Sequence, residues 1–462
     1  MRAKSGSRVD EIRTSKSQPE AETPRRFVRS GAAQILARRA RERIPGGAHT
    51  YAKGDDQFPE ASPAFLVRGK GCRVWDTDGN EFIEYGMGLR AVTLGHAFES
   101  VVAAVAGQLP NGSNFVRPSP IELECADELL EVVPNADMVK FCKDGSLAND
   151  AAIKLARAHT GREMIAICGD HPFFSTNDWF IGKTDMPGGV PRWSREQTVA
   201  FRYNDLEDLR RLFASYPGKI ACVVMEGART DEPHPSFLRD VGRVAHEHGA
   251  LFILDEMITG FRWNLGGAQQ EYGITPDLST FGKAMANGFS VSALAGKREF
   301  MRLGGFDHDL ERVFLLSTTH GAETHSLAAA IATMRFYKTN PVVERLYEAG
   351  GRLRRGFMRA VEDHGLGGYV DLVSRDCGLL YVTRNADGRA SQEFRTLFMQ
   401  EMIARGVIAP SFVVSFSHAD EDIDRTVDAA WEALAIYRKA LELGVEAFLV
   451  GRSVRPVFRR FA

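Results

Sequence analysis

One lysine, Lys283, stands in an apolar, glycine-flanked stretch: Leu278-Ser279-Thr280-Phe281-Gly282-Lys283-Ala284-Met285-Ala286-Asn287-Gly288. A solvated surface lysine usually has polar neighbours. A lysine held in an apolar pocket can act as an amine nucleophile and form a Schiff base with a carbonyl compound. Upstream, the apolar run Leu251-Phe252-Ile253-Leu254 ends in Asp255-Glu256. A carboxylate at the C-terminal end of a buried parallel strand lies where such sheets bind ligands, although many such acids only cap the next helix. An amine of this kind, with a carboxylate to keep a pyridine nitrogen protonated, is what a pyridoxal-5'-phosphate (PLP) site requires. The phosphate of such a cofactor also needs a seat. Phe141-Cys142-Lys143-Asp144-Gly145-Ser146 runs into a helix expected to begin near Asn149. A Gly-Ser turn there offers free N–H groups, a hydroxyl and the positive end of a helix dipole. An ordinary serine-capped helix would read the same way.

These residues need elements to hold them. From about residue 100 the pattern alternates helices (122–131, 150–158) with short apolar strands (164–168, 220–225, 250–254). That alternation predicts an α/β domain with a largely parallel sheet and helices on both faces. Before it, a basic amphipathic helix over 32–43 leads into the turn Ile44-Pro45-Gly46-Gly47, and Trp75 to Ile83 reads as a hairpin with Asp78-Gly79 at its turn. After residue 322 come a long helical stretch, strands at 378–382 and 412–416, and a helix over 423–443, which together predict a smaller α+β lobe. The expected organisation is a disordered tail (1–30), an N-terminal segment contributing to the small lobe (31–99), a large cofactor-binding domain (100–330) and a C-terminal small domain (331–462).

Composition narrows the class. The 462 residues are 44% hydrophobic and 26% charged with a net charge of -2, so nothing recruits nucleic acid or an anionic membrane. No apolar run is long enough to cross a bilayer. Six cysteines lie scattered without CxxC or metal-type spacing, which predicts free thiols in a reducing, cytoplasmic setting and no metal site. His246 and His248 have no third ligand near them in sequence and read as a solvated helix end.

From about Ile44 onward the sequence resembles the class III aminotransferases, most closely glutamate-1-semialdehyde aminomutase and its relatives. The resemblance rests on Ile44-Pro45-Gly46-Gly47, Arg68-Gly69-Lys70-Gly71, Trp75-Asp76-Thr77-Asp78-Gly79-Asn80-Glu81 and Leu94-Gly95-His96-Ala97. It continues through Leu254-Asp255-Glu256-Met257-Ile258-Thr259-Gly260-Phe261-Arg262, Pro276-Asp277-Leu278 and Gly282-Lys283. It implies an aspartate-aminotransferase-like PLP fold (fold type I) with a mainly parallel seven-stranded sheet, and a homodimer with shared active sites. Lys283 then matches the lysine that binds the cofactor and shuttles protons, Asp255 the partner of the pyridine nitrogen, and Met257 the residue packed under the ring. Gly145 and Ser146 match the phosphate-binding pair. Glu226 matches an acid near the ring hydroxyl, with a helix-capping carboxylate as the plainer alternative. In the family a threonine of the second subunit also reaches the phosphate; Thr319 matches it, with Thr318 adjacent.

Four departures concern substrate more than fold. Lys53 stands where the aminomutase has an arginine for the substrate carboxylate, which keeps the charge but loses the bidentate fork. Gly86-Met87-Gly88-Leu89-Arg90 replaces an aromatic-plus-glycine stretch, so Arg90 is either an anion contact or a structural ion pair. Asp170-His171-Pro172-Phe173-Phe174 replaces Tyr-His-Gly, leaving His171 or Phe173 to stack on the ring or merely to pack. Leu147 replaces the usual glutamate of the phosphate motif. The segment 173–193, rich in aromatics, Gly and Pro, reads equally as a lid or as a long surface loop. The resemblance implies amino transfer between a small-molecule donor and the aldehyde or ketone of a specialised pathway, sugar-derived or antibiotic. An aminomutase, racemase or decarboxylase on the same scaffold is the alternative.

Overall fold

A computed structural model describes residues 27–228 and 230–460, so most of the expected 1–30 tail lies outside the described residues. The small-lobe strands come first: β1 (Leu66–Lys70), β2 (Arg73–Asp76) and β3 (Glu81–Glu84). The large domain follows with β4 (Met138–Cys142), β5 (Met164–Cys168), β6 (Thr198–Phe201), β7 (Ile220–Glu226), β8 (Leu251–Asp255), β9 (Leu278–Phe281) and β10 (Ser292–Gly296). Then come β11 (Val370–Val373), β12 (Leu380–Thr383) and β13 (Val407–Ile408).

Seven strands form the central sheet in the order β4-β10-β9-β8-β7-β5-β6. Only β10 runs against its neighbours, pairing antiparallel with both β4 and β9. Strands β5, β7, β8 and β9 are buried along their whole length, which is why β5, and β7 and β8 up to their terminal acids, read as continuous apolar runs rather than alternating ones. Register brings three strand ends together: Glu226 lies opposite Asp255, and Asp255 opposite Thr280. This row stands at the C-terminal edge of parallel strands, where open α/β sheets bind ligands.

The segment before the sheet and the segment after it share a second sheet. β2 pairs antiparallel with β1 and β3, as the Asp78-Gly79 turn predicts, and β13 adds in parallel to β3. The expected strand at 412–416 does not form. Phe412 makes a single bridge with Leu379, and the amides beyond it go elsewhere: Val413 N–H to Tyr85 O, Ser415 N–H to His418 Nδ1, Phe416 N–H to Thr93 O. An apolar run whose donors go to three different segments has no ladder to join. All six cysteines are free and buried, and no helix among the described residues is long and apolar enough to cross a membrane.

Candidate active site

Asp255 ends β8 with its carboxylate fully held. Its Oδ1 accepts from the Met257 N–H at 2.8 Å, and its Oδ2 accepts from Asn149 Nδ2 at 2.8 Å. The same Asn149 amide donates to Phe174 O, and its Oδ1 accepts from Thr280 Oγ1, each at 2.8 Å. Asn149, Asp255 and Thr280 are all buried. Burial pushes the Asp255 carboxyl above the usual carboxylate range, against the pull of Lys283 and of these two donors.

Lys283 follows β9 through Gly282 and opens a short 3-10 turn, Lys283–Ala286. Its φ of +46° is left-handed, a strained setting for a residue with a side chain. Burial of the amine lowers its pKa from the ordinary lysine value. The charges of Asp255 and Glu226 oppose that shift, and those of Arg90 and Arg262 add to it.

The helix expected near Asn149 begins earlier, at Gly145, because Asp144 caps it by accepting from the Leu147 N–H at 3.1 Å. Gly145 and Ser146 are therefore first-turn residues, and Ser146 Oγ accepts from the Thr176 N–H at 3.2 Å. A Cβ on Gly145 would stand 2.9 Å from Met257 Sδ, and one on Gly282 2.8 Å from the same sulfur. Met257 thus lies between the turn at the helix start and the glycine that precedes Lys283.

Around this group, His171 is buried with its Nδ1 accepting from the Glu226 N–H at 3.0 Å. Its ring lies 5.3 Å from that of Tyr203. Phe173 is 42% exposed, edge-on to Phe180. The segment it begins is anchored over residues 174–180. Phe174, Trp179 and Phe180 are buried, and Ser175 Oγ and Trp179 Nε1 both donate to Asp150 Oδ1. Lys53 and Thr319 are exposed, and no hydrogen bond among the described residues joins either side chain to the group around Lys283. His246 and His248 are exposed at a helix end, as expected; His246 Nε2 also pairs with the buried Asp277 at 2.7 Å, and His248 stacks on Phe213. Among the described residues no His, Cys, Asp or Glu cluster is set to hold a metal.

Two residues of the site escaped the sequence reading. Asn149 appeared only as the place where a helix begins. Arg262, quoted within the motif that starts at Leu254, is 2% exposed and donates through Nη2 to the Arg90 carbonyl and to Thr93 Oγ1. An arginine closing an otherwise apolar Gly-Phe-Arg-Trp run was the available signal.

The donor set fits PLP. It has a buried amine of lowered basicity, a fixed carboxylate at a strand end that accepts from the Met257 N–H, and a helix N-terminus whose glycine lies close against the Met257 side chain. When bound, PLP supplies an electron-withdrawing ring that acidifies the α-carbon of an attached amino compound.

The model of the family described as aminotransferase class-III matches residues 51–429. The 3-aminobutyryl-CoA aminotransferase of Cloacimonas acidaminovorans (strain Evry) is 31% identical over 417 residues, covering 88% of this chain and 97% of the relative. The glutamate-1-semialdehyde 2,1-aminomutase of Roseiflexus castenholzii is 33% identical over 437 residues, covering 89% and 99%. Among solved structures, the PLP form of the FumI protein of Sphingopyxis sp. MTA144 superposes with a TM-score of 0.82 at 27% identity, covering 89% of this chain and 97% of that one. The chain belongs to the class-III aminotransferases and is a PLP-dependent enzyme of fold type I.

Proposed function

We propose that the protein transfers an amino group from a small-molecule donor to an aldehyde or ketone of a specialised pathway, sugar-derived or antibiotic. It would do so as a cytoplasmic homodimer with shared active sites. The observation that carries the chemistry is the amine of Lys283, lowered in basicity by burial, in the field of an Asp255 carboxylate fixed by Asn149. Lys283 Nζ binds the cofactor, and once displaced it takes and returns the proton of the donor's α-carbon. Asp255 keeps the proton on the ring nitrogen. Gly145 and Ser146 receive the phosphate at the helix start, helped by Thr319 of the partner subunit. Met257 would pack against the ring of the bound cofactor, His171 or Phe173 would stack on it, and Glu226 would lie near its hydroxyl. Lys53 and Arg90 supply substrate-facing charge. A specialised acceptor is supported by where the chain departs from its family: Lys53, Arg90, Leu147 and the His171-Pro172-Phe173 stretch.

Similarity to aminomutases, 33% in the Roseiflexus case, favours one second reading, isomerisation within a single substrate. A visible absorption spectrum, taken before and after a panel of amino donors, separates the two. A cofactor band that donors bleach in the wild type, and that is lost in Lys283→Ala, supports amino transfer. A band that no donor bleaches favours isomerisation, and no band with added PLP removes Lys283 from its role.

A further inference from the structure

Lys283 opens a turn that is left-handed at both ends. Its own φ is +46°, and so is that of Asn287, which closes the turn with its N–H on the Ala284 carbonyl. Asparagine tolerates that region better than most residues, but a lysine stays there only where its surroundings hold it. At the entrance Gly282 lies against Met257 Sδ and Ser292 Oγ; a Cβ would stand 2.8 Å from the first and closer still to the second. At the exit the hold is a side chain. Asn287 is buried, its Oδ1 accepts from the Leu94 N–H at 2.9 Å, and its Nδ2 donates to the Gly95 carbonyl at 3.0 Å.

The segment that Asn287 grips is itself fixed from the other side. Thr93 O accepts from the Phe416 N–H at 2.8 Å and Leu94 O from Ser417 Oγ at 2.6 Å, and His96 exchanges both backbone bonds with Gly71 at 2.8 Å. His96 Nε2 lies 3.0 Å from Glu84 Oε2, while Glu84 Oε1 accepts from the Met87 N–H at 2.7 Å. Residues 93–96 thus splint the loops outside the central sheet to the turn that carries the buried amine. Ending that turn asks only for a left-handed backbone, which glycine provides as well. The two side-chain bonds do something more, because they fix where the turn lies.

We infer that Asn287 is a positioning residue for Lys283: it ties the exit of the lysine's turn to Leu94 and Gly95, and so holds the amine in place for its bond to the cofactor. The inference rests on Lys283 being the cofactor lysine, as proposed above, and adds the residue through which the surrounding loops set its position. An amine fixed beside its reaction partner acts as if at high concentration, and a loosened one forfeits part of that advantage. Asn287 itself exchanges no proton and forms no bond in the reaction.

A double-mutant cycle on PLP binding tests this, because an effect that runs through the amine must vanish when the amine is gone. The dissociation constant of PLP is measured for the whole chain as wild type, Asn287→Gly, Lys283→Ala and the double variant. Glycine keeps the left-handed backbone and deletes both side-chain bonds. Asn287→Gly should weaken PLP about tenfold with Lys283 present, the scale of one to two hydrogen bonds, and by less than about twofold with Lys283 absent. Equal weakening in both backgrounds would overturn the inference, since Asn287 would then support the pocket as a whole. Unchanged binding in Asn287→Gly would overturn it too. Should Asn287→Gly fail to fold, Ser417→Ala, which frees Leu94 O on the far side of the splint, runs through the same cycle with an expected effect of about threefold. No effect there with Lys283 present has the same meaning. A Schiff-base band that persists in Lys283→Ala is a different result: it removes Lys283 from its role, and the inference with it. An uncoupled cycle in which Lys283→Ala does lose the band removes Asn287 alone.

Discussion

Asp255 and Thr280 are joined through Asn149 by 2.8 Å hydrogen bonds on regular strands and a well-capped helix, whereas Arg262 holds the last carbonyl of the strained loop 87–90 and leaves Nε and Nη1 without a hydrogen-bond partner among the described residues. Both regions act on the same lysine. The first needs nothing from a substrate to complete its bonds. It is preorganised, as a site must be when the chemistry is the same in every turnover. The second leaves two nitrogens of Arg262 without a hydrogen-bond partner among the described residues, and open donors are a way to select, since a ligand that supplies a missing partner gains what others forfeit.

Removing Lys283 takes away the group both regions address, and carries the largest effect. Lys283→Ala should lower amino transfer by about 10⁴-fold or more, the range for losing a nucleophile and proton shuttle together. Far-UV circular dichroism should be unchanged. Activity within tenfold of wild type would mean the two regions serve some other group.

Truncation then separates the regions. Asn149→Ala leaves Asp255 Oδ2, Phe174 O and the Thr280 hydroxyl without their partner, so it should cost about 2–3 kcal/mol in denaturant melts and about 10- to 100-fold in kcat. Arg262→Met removes a buried charge whose partners are few, and should change stability by less than about 1 kcal/mol without substrate. If Arg262→Met destabilises as much as Asn149→Ala, the contrast between the regions is wrong.

A smaller effect probes the packing between them. Gly145→Ala would press a methyl against Met257 Sδ, and should weaken PLP retention by roughly tenfold in a dialysis assay. Met257 is flexible, so Gly145→Ala with Met257→Ala should recover most of that loss. Full retention by Gly145→Ala alone would show that the glycine is not there for Met257.

The same contrast explains what could be read from sequence. Asp255 was legible because it ends an apolar run, a local signal of a doubly covered parallel strand, and Lys283 because it stands among apolar and glycine neighbours. Asn149 was not, because nothing near it in the chain marks it; its partners Asp255, Phe174 and Thr280 are brought to it only by folding. The helix start was misplaced for a local reason: Asp144-Gly145-Ser146 reads as a turn until Asp144 is recognised as the cap. Residues 412–416 have strand composition, but composition does not say that their amides go to Tyr85, Thr93 and His418. Arg262 was quoted as part of a motif and passed over, since burial of an arginine without a carboxylate shows only in three dimensions.

The rigid region extends to the far end of its strands, where the smallest effect is expected. Asp277, just before β9, accepts from the Phe252 N–H of β8, from Lys297 Nζ and from His246 Nε2. Burial pushes its carboxyl up, and these donors together hold it below the usual range. The hydrogen bond to Asp277 raises the pKa of His246. A histidine with a raised folded-state pKa contributes fully below its unfolded pKa of about 6.5 and loses that contribution as pH rises through the folded value. The carboxylate's share runs the other way, present above about pH 4 and lost only as pH falls through its lowered pKa. The melting temperature of wild type should therefore exceed that of His246→Asn by roughly 1–2 °C near pH 5–6, with the gap closing as the medium turns alkaline. The effect is small because His246 is nearly half exposed. A gap that widened with pH would mean that His246 acts there as a neutral hydrogen-bond donor, and that the strands under Lys283 are held by hydrogen bonding alone.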